Sequence, residues 1–150
     1  MNRFVKTLLA WFVASVFAYL LASLVATQSV VAQLAGMGIP ISLGERIQMS
    51  AKDLVGMAKT FLPLIAVGFL VALSVAGLLS RWKPDWRVFL FVLAGFLALI
   101  TLHMALKWTF DITLVAVARS STGLLFQGLA GAAGGWLFTR LKPAPANNND

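Results

Sequence analysis

Residues 88–106 read VFLFVLAGFLALITLHMAL, without one charged side chain. As an α-helix, a run of about 19 residues rises about 29 Å, the thickness of bilayer hydrocarbon. Three more uncharged runs of the same length follow the pattern, at 8–26, 61–79 and 121–139. A membrane β-barrel would instead need segments of about ten residues with alternating polarity. The stretch FLPLIAV at 61–67 shows no such alternation. The pattern predicts an all-α protein: an antiparallel bundle of four transmembrane helices.

Composition leads to the same place. Of the 150 residues, 60% are hydrophobic and 11% charged, whereas soluble domains average about 45–50% and about 25%. A soluble fold of this size leaves too much surface in water to hide that much apolar area. Lipid is therefore the expected solvent. The net charge is +7, but the cations flank the apolar runs instead of forming a stripe with interleaved aromatics. No nucleic-acid partner is expected; headgroup contacts and topology signals account for the charge.

Chemistry-bearing residues are scarce. There are no cysteines, one histidine and five acidic residues, which excludes disulfides and thiolate sites and leaves little for a metal cage. Two axial histidines for a haem cannot come from one chain with a single histidine. Paired carboxylates, HExxH, a phosphate-binding glycine loop and a Ser-His-Asp set are all missing as convincing motifs. No cofactor, metal or catalytic residue is expected.

Orientation follows from the basic residues. With the N-terminus inside, Arg3, Lys6, Arg81, Lys83, Arg87, Arg140 and Lys142 lie inside, and Arg46, Lys52, Lys59, Lys107 and Arg119 outside. The inner set is larger and sits on short, dense segments, where the positive-inside rule applies best. Trp11, Trp82, Trp86 and Trp136 fall near the proposed inner ends and Trp108 near an outer end, at the depth indole rings prefer. Both termini are expected in the cytoplasm. Short loops and absent cysteines fit a bacterial inner membrane. The first run has the basic flank of a signal peptide but exceeds the usual core of about 7–15 residues, so it reads as a retained anchor.

The connection 27–60 is the largest piece predicted outside the membrane. Its first half is apolar but broken by Gly36, Gly38 and Pro40. Its second half starts with Ser42 and Glu45 at capping-box spacing. Leu43, Ile47, Leu54 and Ala58 then share a face, predicting an amphipathic interfacial helix over 43–58. Pro63 cannot donate to the helix ladder, so a restart or kink is expected near 59–63. Residues 80–87 read as a tight inner turn. Residues 111–118 are too apolar for a solvated loop, and 143–150 read as a disordered tail outside the domain 1–142.

Two groups of residues are singled out. Small residues recur at i, i+4 spacing: Ala10, Ala14, Ala18, Ala22 and Ala26; Gly68, Ala72 and Ala76; Ala94 and Ala98; and Gly131 and Gly135 beside Gly128 and Ala132. Such faces let backbones approach closely where no water drives association. They either pack the helices of this chain together or bind another subunit. The second group is polar. His103 and Gln127 lie about 9 Å and about 4.5 Å outward of their span centres, so they could meet across the third and fourth spans. Ser15, Tyr19 and Ser23 line one side of the first span and could join them. No carboxylate lies in any apolar run, which disfavours a cation-coupled carrier.

The leading expectation is a non-catalytic membrane subunit, forming a homo-oligomer or joining a larger complex through small-residue faces. The alternative is a small oligomeric transporter or channel lined by His103, Gln127 and Tyr19. A membrane enzyme comes third, since a lipid substrate, cofactor or partner would have to supply the missing reactive group.

Overall fold

The computed structural model of the chain describes residues 2–110 and 121–142. Four helices make up almost all of it: α1 (Arg3–Gly36), α2 (Leu43–Trp82), α3 (Arg87–Phe110) and α4 (Ser121–Leu141). A single 3₁₀ turn, Pro84–Trp86, joins α2 to α3. Among the described residues, α1 packs against α2 and α4, and α3 packs against the same two.

Among the described residues, three segments are long and apolar enough to cross a membrane: Arg3–Gly36, Leu43–Trp82 and Pro84–Trp108. They mark the chain as a membrane protein. Exposed Phe12, Leu20, Leu24, Val67, Val71, Leu97, Met104, Phe126 and Leu129, drawn from all four helices, agree with this, because soluble proteins rarely leave so many large apolar side chains in water. The fourth run, now α4, does not reach the same apolarity. Its five glycines and Gln127 dilute the leucines and phenylalanines.

The core joins small residues to large ones. Ala10, Ala14, Ala18, Ala22 and Ala26 of α1 are buried, as are Phe61, Ile65, Phe69, Leu73 and Ala76 of α2. Both sets recur every third or fourth residue, which keeps each set on one helical face. Phe91, Ala98 and Leu99 of α3 and Ala130 and Phe138 of α4 complete the cluster.

The long connection between the first two spans differs from its sequence reading. Residues 27–36 continue α1, and only 37–42 lie outside a helix. The stop comes at Gly38, whose φ of +79° lies in the left-handed region. Gly38 N donates to Ala35 O, and Ile39 N donates to Leu34 O. These are the paired bonds of a Schellman cap, in which glycine takes the turn without a Cβ penalty.

Residues 43–58, expected as a separate interfacial helix, and the span 61–79 belong to one uninterrupted α2. The capping box forms as read: Ser42 Oγ accepts from Glu45 N, and Glu45 Oε2 accepts from Ser42 N at 2.7 Å. Pro63 does not end the helix. Phe61 and Ile65, one on each side of it, are both fully buried. Tyr19 OH donates to Leu54 O before the proline, and Trp11 Nε1 donates to Ala66 O after it. Neighbouring contacts thus hold both flanks in line while one backbone bond is missing. At 1.5 Å per residue, α1 and α2 are about 51 and about 60 Å long, well beyond about 30 Å of hydrocarbon. The expectations for 111–118 and 143–150 lie outside the described residues.

Candidate functional site: a polar cluster in the helix core

Spacing along α1 places Ser15, Tyr19, Ser23 and Thr27 one turn apart, and all four are buried. Ser15 Oγ donates to Trp11 O at 2.8 Å, and Thr27 Oγ1 donates to Ser23 O at 3.1 Å. Hydroxyls in helices commonly satisfy themselves on the preceding turn in this way. Thr27 Oγ1 also lies 2.7 Å from Asp53 Oδ2 on α2. The Tyr19 hydroxyl reaches across to the Leu54 carbonyl.

His103 and Gln127, expected to meet, do stand together. The Gln127 carboxamide adjoins the imidazole, and both side chains are buried. The imidazole lies against Phe61, with ring centroids 5.5 Å apart. Phe61 in turn takes the edge of Tyr19, with centroids 6.2 Å apart at 68°. One phenyl ring therefore separates Tyr19 from His103. Gln127 Nε2 donates to Ala22 O of α1 at 3.0 Å. Among the described residues, Ser23 Oγ, His103 Nε2 and Gln127 Oε1 are buried without a partner. No three His, Cys, Asp or Glu side chains there converge on a point that could hold a metal.

The small-residue positions separate into two kinds. Gly128, Gly131 and Gly135 face inward on α4. A Cβ on Gly131 would strike the Gly95 carbonyl, and one on Gly135 the Phe91 carbonyl. A Cβ on Gly128 would come within 2.6 Å of the Phe96 ring. Ala14 and Ala18 are fully buried, and Ala18 abuts Gly134, where a Cβ would lie 2.8 Å from both Ala18 Cβ and Phe69. Gly68 is different: a Cβ there would meet nothing within 4 Å. Gly68 and the neighbouring Ala72 are half-buried on α2.

Three features escaped the sequence reading. Gly95 is the α3 counterpart of the α4 glycines, and its position within an uncharged helix was the available signal. The Thr27–Asp53 contact joins residues that look unrelated in the chain. At the opposite end of the helices, Arg87 Nη2 donates to the Lys142 carbonyl. The chain matches no known family model, no curated protein and no solved structure.

Proposed function

We propose that the chain is a non-catalytic membrane subunit: an antiparallel four-helix bundle that crosses the bilayer four times and joins copies of itself or a larger membrane complex. Both termini lie in the cytoplasm, and the membrane is a bacterial inner membrane. The observation that carries the reading is where the buried polar groups spend their hydrogen bonds. Trp11, Tyr19 and Gln127 each donate to a backbone carbonyl of a neighbouring helix. They act as clamps between helices, not as a set aimed at a substrate. Opposed numbering across the α1–α2 contacts, Trp11 to Ala66 and Thr27 to Asp53, supports the antiparallel arrangement.

The inward glycines of α4 are already occupied by α3, so a partner helix is expected elsewhere. Gly68 has open space, beside exposed Val67, Val71 and Val75 and one turn from half-buried Ala72. This face of α2 is the proposed assembly surface. Its test is Gly68→Leu in detergent: the native mass is expected to fall while the thermal unfolding temperature does not fall. An unchanged native mass with an intact fold contradicts the assignment.

The transporter reading rests on a separate observation, the three unpartnered polar atoms at Ser23, His103 and Gln127. Buried polar groups in that state are costly and recur where water or ions pass. It predicts that His103→Ala abolishes a flux in proteoliposomes and leaves assembly intact. The subunit reading predicts no flux to abolish.

A further inference from the structure

Where α1 begins and α4 ends, a groove of about 900 Å³ opens between the helices. Its apolar wall includes Leu8 of α1 and Leu70 and Leu73 of α2. Its polar rim carries three cations from three different segments: Arg81 near the end of α2, Arg87 at the start of α3 and Lys142 just after α4. Among the described residues none of the three is paired with a carboxylate. Asp85, on the turn beside them, does not line the groove.

We propose that this groove binds one anionic phospholipid, with its phosphate among Arg81, Arg87 and Lys142 and its acyl chains along the leucine wall. The inference rests on the membrane placement of the helices and not on the subunit reading.

Charge complementarity selects the occupant. Arg87 is held over the Phe91 ring at 5.7 Å and Lys142 over Phe138 at 5.6 Å. The Arg87 guanidinium also donates to the Lys142 carbonyl. These contacts fix two cations side by side against their repulsion. Burial first, then the positive Arg87 and Arg81, push the Lys142 ammonium below the ordinary lysine range. An anion at that point relieves both penalties. The start of α3 adds the partial positive charge of a helix N-terminus. A free phosphate would satisfy the rim but leave the leucine wall unfilled. A zwitterionic lipid would fill the wall but neutralise the rim poorly. Basic pockets between transmembrane helices are a known way of holding anionic headgroups.

The test is native mass spectrometry of the detergent-purified full chain, titrated with phosphatidylglycerol, phosphatidylcholine of the same acyl chains, or inorganic phosphate. Phosphatidylglycerol is expected to bind about tenfold or more tightly than phosphatidylcholine, since each basic residue near a headgroup contributes roughly fivefold. The triple variant Arg81→Gln, Arg87→Gln, Lys142→Gln is expected to lose that preference. Arg46→Gln, Lys52→Gln, Lys59→Gln, far from the groove in sequence, is expected to keep it. Arg81→Gln alone, at an exposed position, gives a several-fold loss even if the triple variant fails to fold. Equal binding of the two lipids, equal loss in the distant variant, or inorganic phosphate displacing the lipid would each overturn the proposal. A parallel alkaline carbonate wash separates the premises: release of the wild-type chain from membranes overturns the membrane placement, whereas retention with equal lipid binding overturns the lipid site alone.

Discussion

Gly95 of α3 and Gly131 of α4 each occupy the space the other's side chain would need: a Cβ on either residue would collide with the carbonyl oxygen of the other. The two backbones meet directly, and Gly135 extends the contact one turn further against Phe91. Close approach of this kind supplies the dispersion contacts that hold helices together where water contributes nothing.

Gly131→Ala is therefore expected to destabilise the chain. Overpacking against backbone, which cannot rotate away, typically costs about 1–3 kcal/mol, enough to exceed the gain of about 1 kcal/mol from alanine's helix propensity. Gly68→Ala has open space and is expected to keep that gain. Thermal unfolding in detergent should move the two variants in opposite directions; a shared direction would mean that the α3–α4 contact is looser than described.

Gln127→Leu is expected to change stability by less than about 1 kcal/mol. It removes an interhelical hydrogen bond worth about 0.6 kcal/mol on average in membrane proteins. It also removes Gln127 Oε1, an acceptor left without a partner. A loss of several kcal/mol in unfolding experiments would indicate that the carboxamide belongs to a larger network.

The first turn of α2 should depend on pH through Glu45. The backbone N–H of Ser42, then its hydroxyl, hold the Glu45 carboxyl below its ordinary range. A depressed folded value means the stabilisation is complete above the unfolded value and lost as pH falls through the folded one. Protection against amide exchange over 43–46, taken relative to the intrinsic rate at each pH, should fall in that acid window. Ser42→Ala should produce a similar fall at neutral pH, by roughly fivefold for a cap worth about 1 kcal/mol. Protection insensitive to both changes would contradict the cap.

Lys142 carries the opposite sign. Its folded value is lowered, by burial and then by Arg87 and Arg81, so the charged form is disfavoured on folding. Stability should rise as pH climbs through that lowered value, and Lys142→Met should unfold at a higher temperature than wild type in a nonionic detergent. Unchanged or lower unfolding temperatures would show that the ammonium is not strained by its neighbours.

Local signals were legible in the chain and long-range ones were not. The capping box at Ser42 and Glu45 needs only residues three apart, so its spacing reveals it. The α4 glycine stripe was also readable, but not its direction, because the i, i+4 rule does not say which helix a face meets. Gly95 is hidden in the sequence because its neighbours one turn away, Phe91 and Leu99, are large, so it stands outside the Ala94, Ala98 stripe beside it. Gly36 and Gly38 read as interruptions, whereas the first is the last residue of α1 and the second makes its cap. The His103–Gln127 encounter was foreseeable from depth alone. The acceptor for Gln127 was not, since the Ala22 carbonyl is a backbone group and leaves no trace in the sequence.

The most direct test of the subunit proposal is the native mass of the tagged chain extracted from its own membrane in a mild detergent, with identification of whatever remains bound. The account predicts a defined oligomer or a partner at fixed stoichiometry, lost in Gly68→Leu and retained in His103→Ala. A monodisperse monomer with no bound partner, unchanged by Gly68→Leu, would contradict it.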